Sequence, residues 1–176
     1  MPLMNVNRSR LVIIDFQARL MPAIHDGPSL LANAGRLVAA AKLLEVPIVM
    51  TEQNPAGLGT TVPDLAEAAP AIAKMSFDAC ATPAFIDAIA GDDDLILCGC
   101  EAHVCFGQTA LSLLEHKRRV FVVQDAVGSR AQESKEVSLR RLERNGAEIV
   151  TTEMVVFEWL RTAEHPQFRA VLKLVK

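Results

Sequence analysis

The chain has 176 residues, 51% of them hydrophobic and only 5% aromatic, with four cysteines and a formal net charge of −3. That length suits one domain, spanning 1–176, around a mostly aliphatic core, and the mild acidity argues against nucleic acid as a partner. No uninterrupted apolar run approaches the roughly 18 residues of a membrane span, and the start Met1-Pro2-Leu3-Met4-Asn5-Val6-Asn7-Arg8 lacks the charged-then-apolar pattern of a secretion signal, so no membrane partner is expected.

Apolar runs alternate with helical patterns along the chain, the signature of βαβ units. The first strand is expected over Arg10–Asp15, a short Val/Ile run closed by a carboxylate. A helix over Ser29–Glu45 follows, with Leu30, Ala34, Leu37, Ala41 and Leu44 at helical spacing. A strand at Pro47–Thr51 leads into the longest irregular stretch, Glu52–Ala71, which carries Gly57, Gly59, Pro55, Pro63 and Pro70. A loop this long is usually functional, with Gln53, Asn54 and Leu58 near a pocket, although it also suits a surface excursion with a short helix near Pro63–Ala68. A strand at Ile72–Met75 precedes a helix over Thr82–Ala90, entered through Thr82-Pro83. A strand at Leu95–Gly99 turns into a helix over Ala102–His116. The basic run His116-Lys117-Arg118-Arg119 falls at that helix's end, where cations suit the dipole, so it reads as structural. Strands at Arg119–Gln124 and Glu148–Thr151 flank a helix that begins at Ser129 with Gln132 as a capping box and ends at Asn145-Gly146. Short helices close the chain at Glu153–Leu160 and Pro166–Val175.

Three pieces carry chemistry. The segment Gly99-Cys100-Glu101-Ala102-His103-Val104-Cys105 places Cys105 in the first turn of a helix, where unpaired N–H groups favour a thiolate and would lower the thiol's pKa. A small apolar side chain packed under the sheet is the competing reading, because free cysteine is often buried. Asp15 ends a buried strand, at the rim where open α/β sheets keep their ligands. Lys74 interrupts the weakly polar run Ile72-Ala73-Lys74-Met75-Ser76-Phe77-Asp78. Each has a duller role singly, but an acid/base, a cation and a nucleophile together suit covalent catalysis. Cys98 and Cys100 end a buried strand and read as packed thiols, and a cytoplasmic, reducing location is the simpler account of four cysteines in this chain.

These pieces, with Val122-Val123-Gln124-Asp125-Ala126-Val127-Gly128-Ser129-Arg130, resemble the isochorismatase-like cysteine hydrolases over nearly the whole chain, from Arg10 onward. The run from Thr51 to Pro63 and the tail His165-Pro166-Gln167-Phe168 look like the isochorismatase-domain-containing subgroup. With right-handed crossovers, the resemblance implies a three-layer α/β/α sandwich with a six-stranded parallel sheet in order 3-2-1-4-5-6. Asp15 and Cys105 would then meet where the strand order reverses. The resemblance implies Asp15 as proton acceptor, Lys74 as the favouring cation and Cys105 as the nucleophile that forms a thioester. It also implies an oxyanion hole from the backbone N–H groups of Glu101 and Cys105, with a non-proline cis peptide at Cys100–Glu101. Phe16, Gln17, Gln53, Phe77, His103 and Phe106 are the expected substrate-binding residues, although Phe16 and Phe106 equally suit the core.

The metal-binding relatives carry an Asp-x-His pair and a further histidine after the second strand. Here that place holds Gln53-Asn54-Pro55, with no histidine between His25 and His103. No metal and no other cofactor is therefore expected. True isochorismatases lack the cysteine, which points away from isochorismate and toward a small amide or related acyl compound. A homo-oligomer is expected as well. The alternative to an enzyme is a small-molecule-binding or scaffold protein on the same fold. A thioredoxin-like motif is absent, and no arginine follows Cys105 as a cysteine phosphatase would want. Zinc held by Cys98, Cys100, Cys105 and His103 is disfavoured too.

Overall fold

The computed structural model describes residues 3–176. Six parallel strands form one sheet in the order β3-β2-β1-β4-β5-β6, as the sequence predicts. They are β1 (Ser9–Ile14), β2 (Ile48–Gln53), β3 (Ala71–Lys74), β4 (Asp94–Cys100), β5 (Val120–Gly128) and β6 (Glu148–Val150). The helices are α1 (Gly27–Leu43), α2 (Pro55–Leu58), α3 (Pro63–Ala66), α4 (Pro83–Ala88), α5 (Cys105–Glu115), α6 (Gln132–Arg144), α7 (Thr152–Leu160) and α8 (Phe168–Val175).

Strand alternation divides the core in two. Leu11, Ile13, Ile96, Cys98, Phe121 and Val123 face α1, α7 and α8, packing with Leu30, Leu37, Val155, Trp159 and Val171. Val12, Ile14, Leu95, Leu97, Val120 and Val122 face α4, α5 and α6, packing with Phe85, Ile89, Phe106, Leu113 and Leu142. Apolar side chains on both faces are what make these strands read as continuous Val/Ile/Leu runs. Every core layer therefore depends on helices returning over the sheet, and the strand ends are left free to carry polar groups.

The structure differs from the sequence reading at several boundaries: α5 starts at Cys105 rather than Ala102, and β2 runs to Gln53 rather than Thr51. β5 runs four residues past Gln124, because its pairing with β4 shifts register between Leu97 and Gly99 and resumes at Gly99 and Val127. The long stretch after β2 holds, besides the short helix expected near Pro63 (α3), a second one, α2, and each has a proline in its first turn. The Ser129–Gln132 capping box does not form: α6 starts at Gln132 behind Ala131 with no side-chain cap. Ser129 is buried, and its hydroxyl lies 2.9 Å from His103 Nδ1.

At the reversal of strand order, β1 and β4 approach too closely for a side chain on β4. A Cβ on Gly99 would lie 2.2 Å from the Ile14 carbonyl oxygen, and its φ of +142° disfavours any other residue. Gly99→Ala is expected to destabilise the protein by more than about 3 kcal/mol, because the clash is with backbone and the conformation is strained. Urea unfolding midpoints of the two proteins check this, and a cost below about 1 kcal/mol would contradict the packing described.

Candidate active site

The register of the central strands assembles the site. Ile14 lies beside Thr51 of β2 and Gly99 of β4, so Asp15, one residue on, emerges at the crevice between β1 and β4. Its backbone turns sharply there, with φ at 52°. Gln53 pairs with Lys74 at the ends of β2 and β3, and from there the lysine stem reaches inward. Lys74 Nζ donates to Asp15 Oδ2 at 2.8 Å, with both side chains buried. The other carboxylate oxygen accepts the Thr51 hydroxyl at 2.7 Å. The ammonium also donates to the Ser76 and Phe77 carbonyls at 3.3 and 3.4 Å.

Cys105 is the first residue of α5, and its thiol lies within hydrogen-bond reach of both Asp15 and Lys74. The chain reaches this point through the cis Cys100–Glu101 peptide and a tight turn in which Glu101 O accepts from Val104 N and Phe106 N. Two contacts fix the turn against the helices: Ser138 Oγ donates to Ala102 O at 2.5 Å, and Gly107 leaves room for that same carbonyl. The helix start does not make Cys105 a resting thiolate. Burial pushes its thiol up to about 12, and the Asp15 charge adds to the rise, while Lys74 pulls the other way. Desolvation and the neighbouring carboxylate both disfavour the thiolate. The resting arrangement is a neutral thiol beside a buried Asp15–Lys74 ion pair.

A cleft of about 430 Å³ opens over these groups, within the usual range of small-molecule sites. Asp15 and Cys105 form its floor, Leu20, Ala23, Leu58, Phe77 and Val104 give apolar walls, and Gln53, Glu101, Arg19 and Arg130 add polar groups. Glu101 is held by Arg130, whose Nε lies 3.0 Å from Oε2 and whose backbone N–H donates to the same oxygen at 2.8 Å. Among the described residues, no three His, Cys, Asp or Glu side chains cluster as a metal-binding set. All four cysteines are free thiols.

Of the residues expected to bind substrate, Gln53 and Phe77 line the cleft and the other four do not. Phe16 and Phe106 are buried in opposite core layers, because the turn at Asp15 and the pitch of α5 rotate each neighbour of a polar site residue away from the crevice. Gln17 is buried and ties loops together: its amide donates to Gln53 O at 3.0 Å and Gly59 O at 2.6 Å and accepts from Gln53 N at 2.9 Å. His103 is exposed and lines a separate depression with Glu133, Val137 and Arg141. Sequence reasoning missed Arg19, Leu20, Ala23 and Val104 as cleft residues, and noticed Arg130 only as part of a motif. Arg130 had a signal, since it follows the tight strand end Val127-Gly128-Ser129; Arg19 had none.

An open parallel sheet with a carboxylate, a lysine and a cysteine gathered at its topological switch point marks an α/β domain with its ligand site at that crevice. The Isochorismatase domain model matches residues 9–154. The chain is 38% identical over 172 residues to isochorismatase domain-containing protein 2A of Mus musculus, covering 96% of this chain and 82% of the mouse protein. Among solved structures, one described as MAR1 ribonuclease from Caenorhabditis elegans superposes with a TM-score of 0.94 at 35% identity, over 99% of this chain and 92% of that one. Two bacterial YcaC structures also match. The one from Pseudomonas aeruginosa, described with hexane-2,5-diol and covalent acrylamide, has a TM-score of 0.91 at 27% identity, over 98% and 91% of the two chains. The one from Escherichia coli, described as an octameric hydrolase of unknown specificity, has 0.88 at 25% identity, over 98% and 96%. The chain belongs to the isochorismatase family of hydrolases. Among the described residues, no helix is long and apolar enough to cross a membrane.

Proposed function

We propose that the protein is a cysteine-dependent hydrolase of a small amide or related acyl compound, with Asp15, Lys74 and Cys105 as its catalytic residues. The observation that carries this reading is the thiol held against the Asp15–Lys74 pair at the floor of the cleft. The thiol proton passes to the Asp15 carboxylate as Sγ bonds to the substrate carbonyl carbon, and the carbonyl electrons move to oxygen. The oxyanion is met by the N–H groups of Glu101 and Cys105, at the turn that begins α5. Collapse breaks the C–N bond, and the proton on Asp15 leaves with the amine. Water then adds to the thioester carbonyl and gives a proton to Asp15. The S–C bond breaks, the acid departs, and the proton returns to sulfur. Lys74 stays charged throughout and stabilises whichever of Asp15 and Cys105 is anionic. The covalent acrylamide in the Pseudomonas YcaC structure supports a nucleophile in that relative. The octameric relative supports a homo-oligomer here.

The C. elegans relative favours a second reading, RNA cleavage. Against it, no histidine lines this cleft, and a thiol suits a carbonyl carbon better than a phosphodiester. A panel of small amides, with RNA included, separates the two by intact mass. The expected result is an acyl adduct on Cys105 during amide turnover and intact RNA. RNA cleavage that persists in Cys105→Ala, with no adduct from any amide, would replace the first reading by the second.

A further inference from the structure

The cleft's charges do not cancel. Asp15 is paired with Lys74 and Glu101 with Arg130. Arg19 completes the set, and among the described residues it has no carboxylate partner. Its side chain is exposed at the mouth of the cleft and tied to the neighbouring loop. Its backbone N–H donates to Leu58 O at 2.9 Å, and Nη1 donates to the carbonyls of Ala56 and Gly57 at 3.3 and 3.1 Å. Gly59 lies beside its stem, where a Cβ would make ordinary contact with Arg19 Cγ at 3.6 Å. These bonds engage only one nitrogen of the guanidinium. Nε and Nη2 form the edge that takes a carboxylate with two parallel hydrogen bonds, and neither has an acceptor among the described residues. The apolar lining of the same cleft is Leu20, Ala23, Leu58, Phe77 and Val104.

Resting on the hydrolase reading above, we infer that Arg19 is a specificity residue for an anion at the far end of the substrate, so that the cleft takes a short acyl compound with a carboxylate opposite its scissile carbonyl. The chain as a whole carries a formal charge of −3, so general attraction does not bring such a molecule in. One oriented guanidinium in an otherwise charge-balanced, apolar-walled cleft does. Aspartate or glutamate derivatives amidated at one end and dicarboxylic acid monoamides have the required form. A purely neutral amide leaves the Arg19 edge unused.

Two reagents of nearly equal size and opposite suitability test this without a known substrate. 3-Maleimidopropionic acid carries a carboxylate several bonds from the carbon that joins sulfur, its primary amide carries none, and both alkylate the same sulfur. The readout is the ratio of their rate constants at Cys105, followed by peptide mass, with 2-mercaptoethanol as the neutral reference thiol. The expected ratio exceeds that of the reference, falls at least about fivefold in Arg19→Gln, and is partly retained in Arg19→Lys, since a lysine keeps the charge and loses the fork. A ratio equal to the reference and unchanged in Arg19→Gln overturns the inference and leaves the hydrolase reading intact. So does a variant in which both rates fall together, because the ratio is then unchanged. Failure of both reagents to label Cys105 in the native protein overturns the hydrolase reading, and the inference with it.

Discussion

Cys105→Ala is expected to reduce turnover of any amide substrate by at least about 10⁴-fold, the scale seen when a covalent nucleophile is removed. The fold should survive, because the side chain touches the cleft floor and alanine is a small change at the start of α5. The loss should appear in kcat, while the variant still binds substrate, and no acyl adduct should form. Steady-state kinetics and intact mass check both, with circular dichroism confirming the helices. Turnover within tenfold of the native protein would remove the thioester from the mechanism.

Asp15→Asn tests the opposite half of the site. Asp15 raises the Cys105 thiol and Lys74 lowers it. Taking the carboxylate charge away leaves the cation alone with the sulfur, so the alkylation profile of Cys105 should move to lower pH from about 12. Turnover should nevertheless fall by about 10²-fold or more, because the group that accepts and returns the proton is gone. A more reactive thiol in a less active enzyme is an outcome that simple loss of structure does not give. Asparagine still accepts from Thr51, and Lys74 keeps the Ser76 and Phe77 carbonyls, so the floor retains most of its bonds. The measurements are iodoacetamide labelling against pH and kcat at fixed pH, and superimposable labelling profiles would show that Asp15 does not act on the sulfur.

The strands and the positions of Asp15 and Cys105 at their ends were legible from short-range signals, whereas the strand order and the meeting of Asp15, Lys74 and Cys105 came from the family resemblance. Apolar runs mark strands, a strand-end position fixes the rim, and a cysteine after a Gly-containing turn marks the helix start. The cleft walls were not legible in the same way. Phe16 and Phe106 follow polar site residues directly, and only the left-handed turn at Asp15 and the helical pitch at Cys105 decide that they point into the core. Ser129 and Gln132 have the spacing of a capping box, but tertiary burial claims the serine for His103. Arg19 sits in irregular backbone and owes its orientation to carbonyls nearly 40 residues away. The thiol's pKa was misjudged for a related reason: a helix start is visible in sequence, whereas the desolvation and the charge that oppose it are not.

The ties made by Gln17 and Glu52 bear on how fast molecules can enter and leave. Gln17 binds Gln53 and Gly59, and Glu52 Oε1 accepts from the Thr61 backbone N–H and hydroxyl at 2.6 and 2.8 Å, with Gln17, Glu52, Gln53 and Thr61 all buried. Swinging the intervening segment outward would strand several buried polar groups, at about 1–3 kcal/mol for each one left unsatisfied. That segment is therefore a fixed wall rather than a gate. In the proposed hydrolase, product escape would then not wait on movement of this segment, and bond-breaking would set the ceiling on turnover.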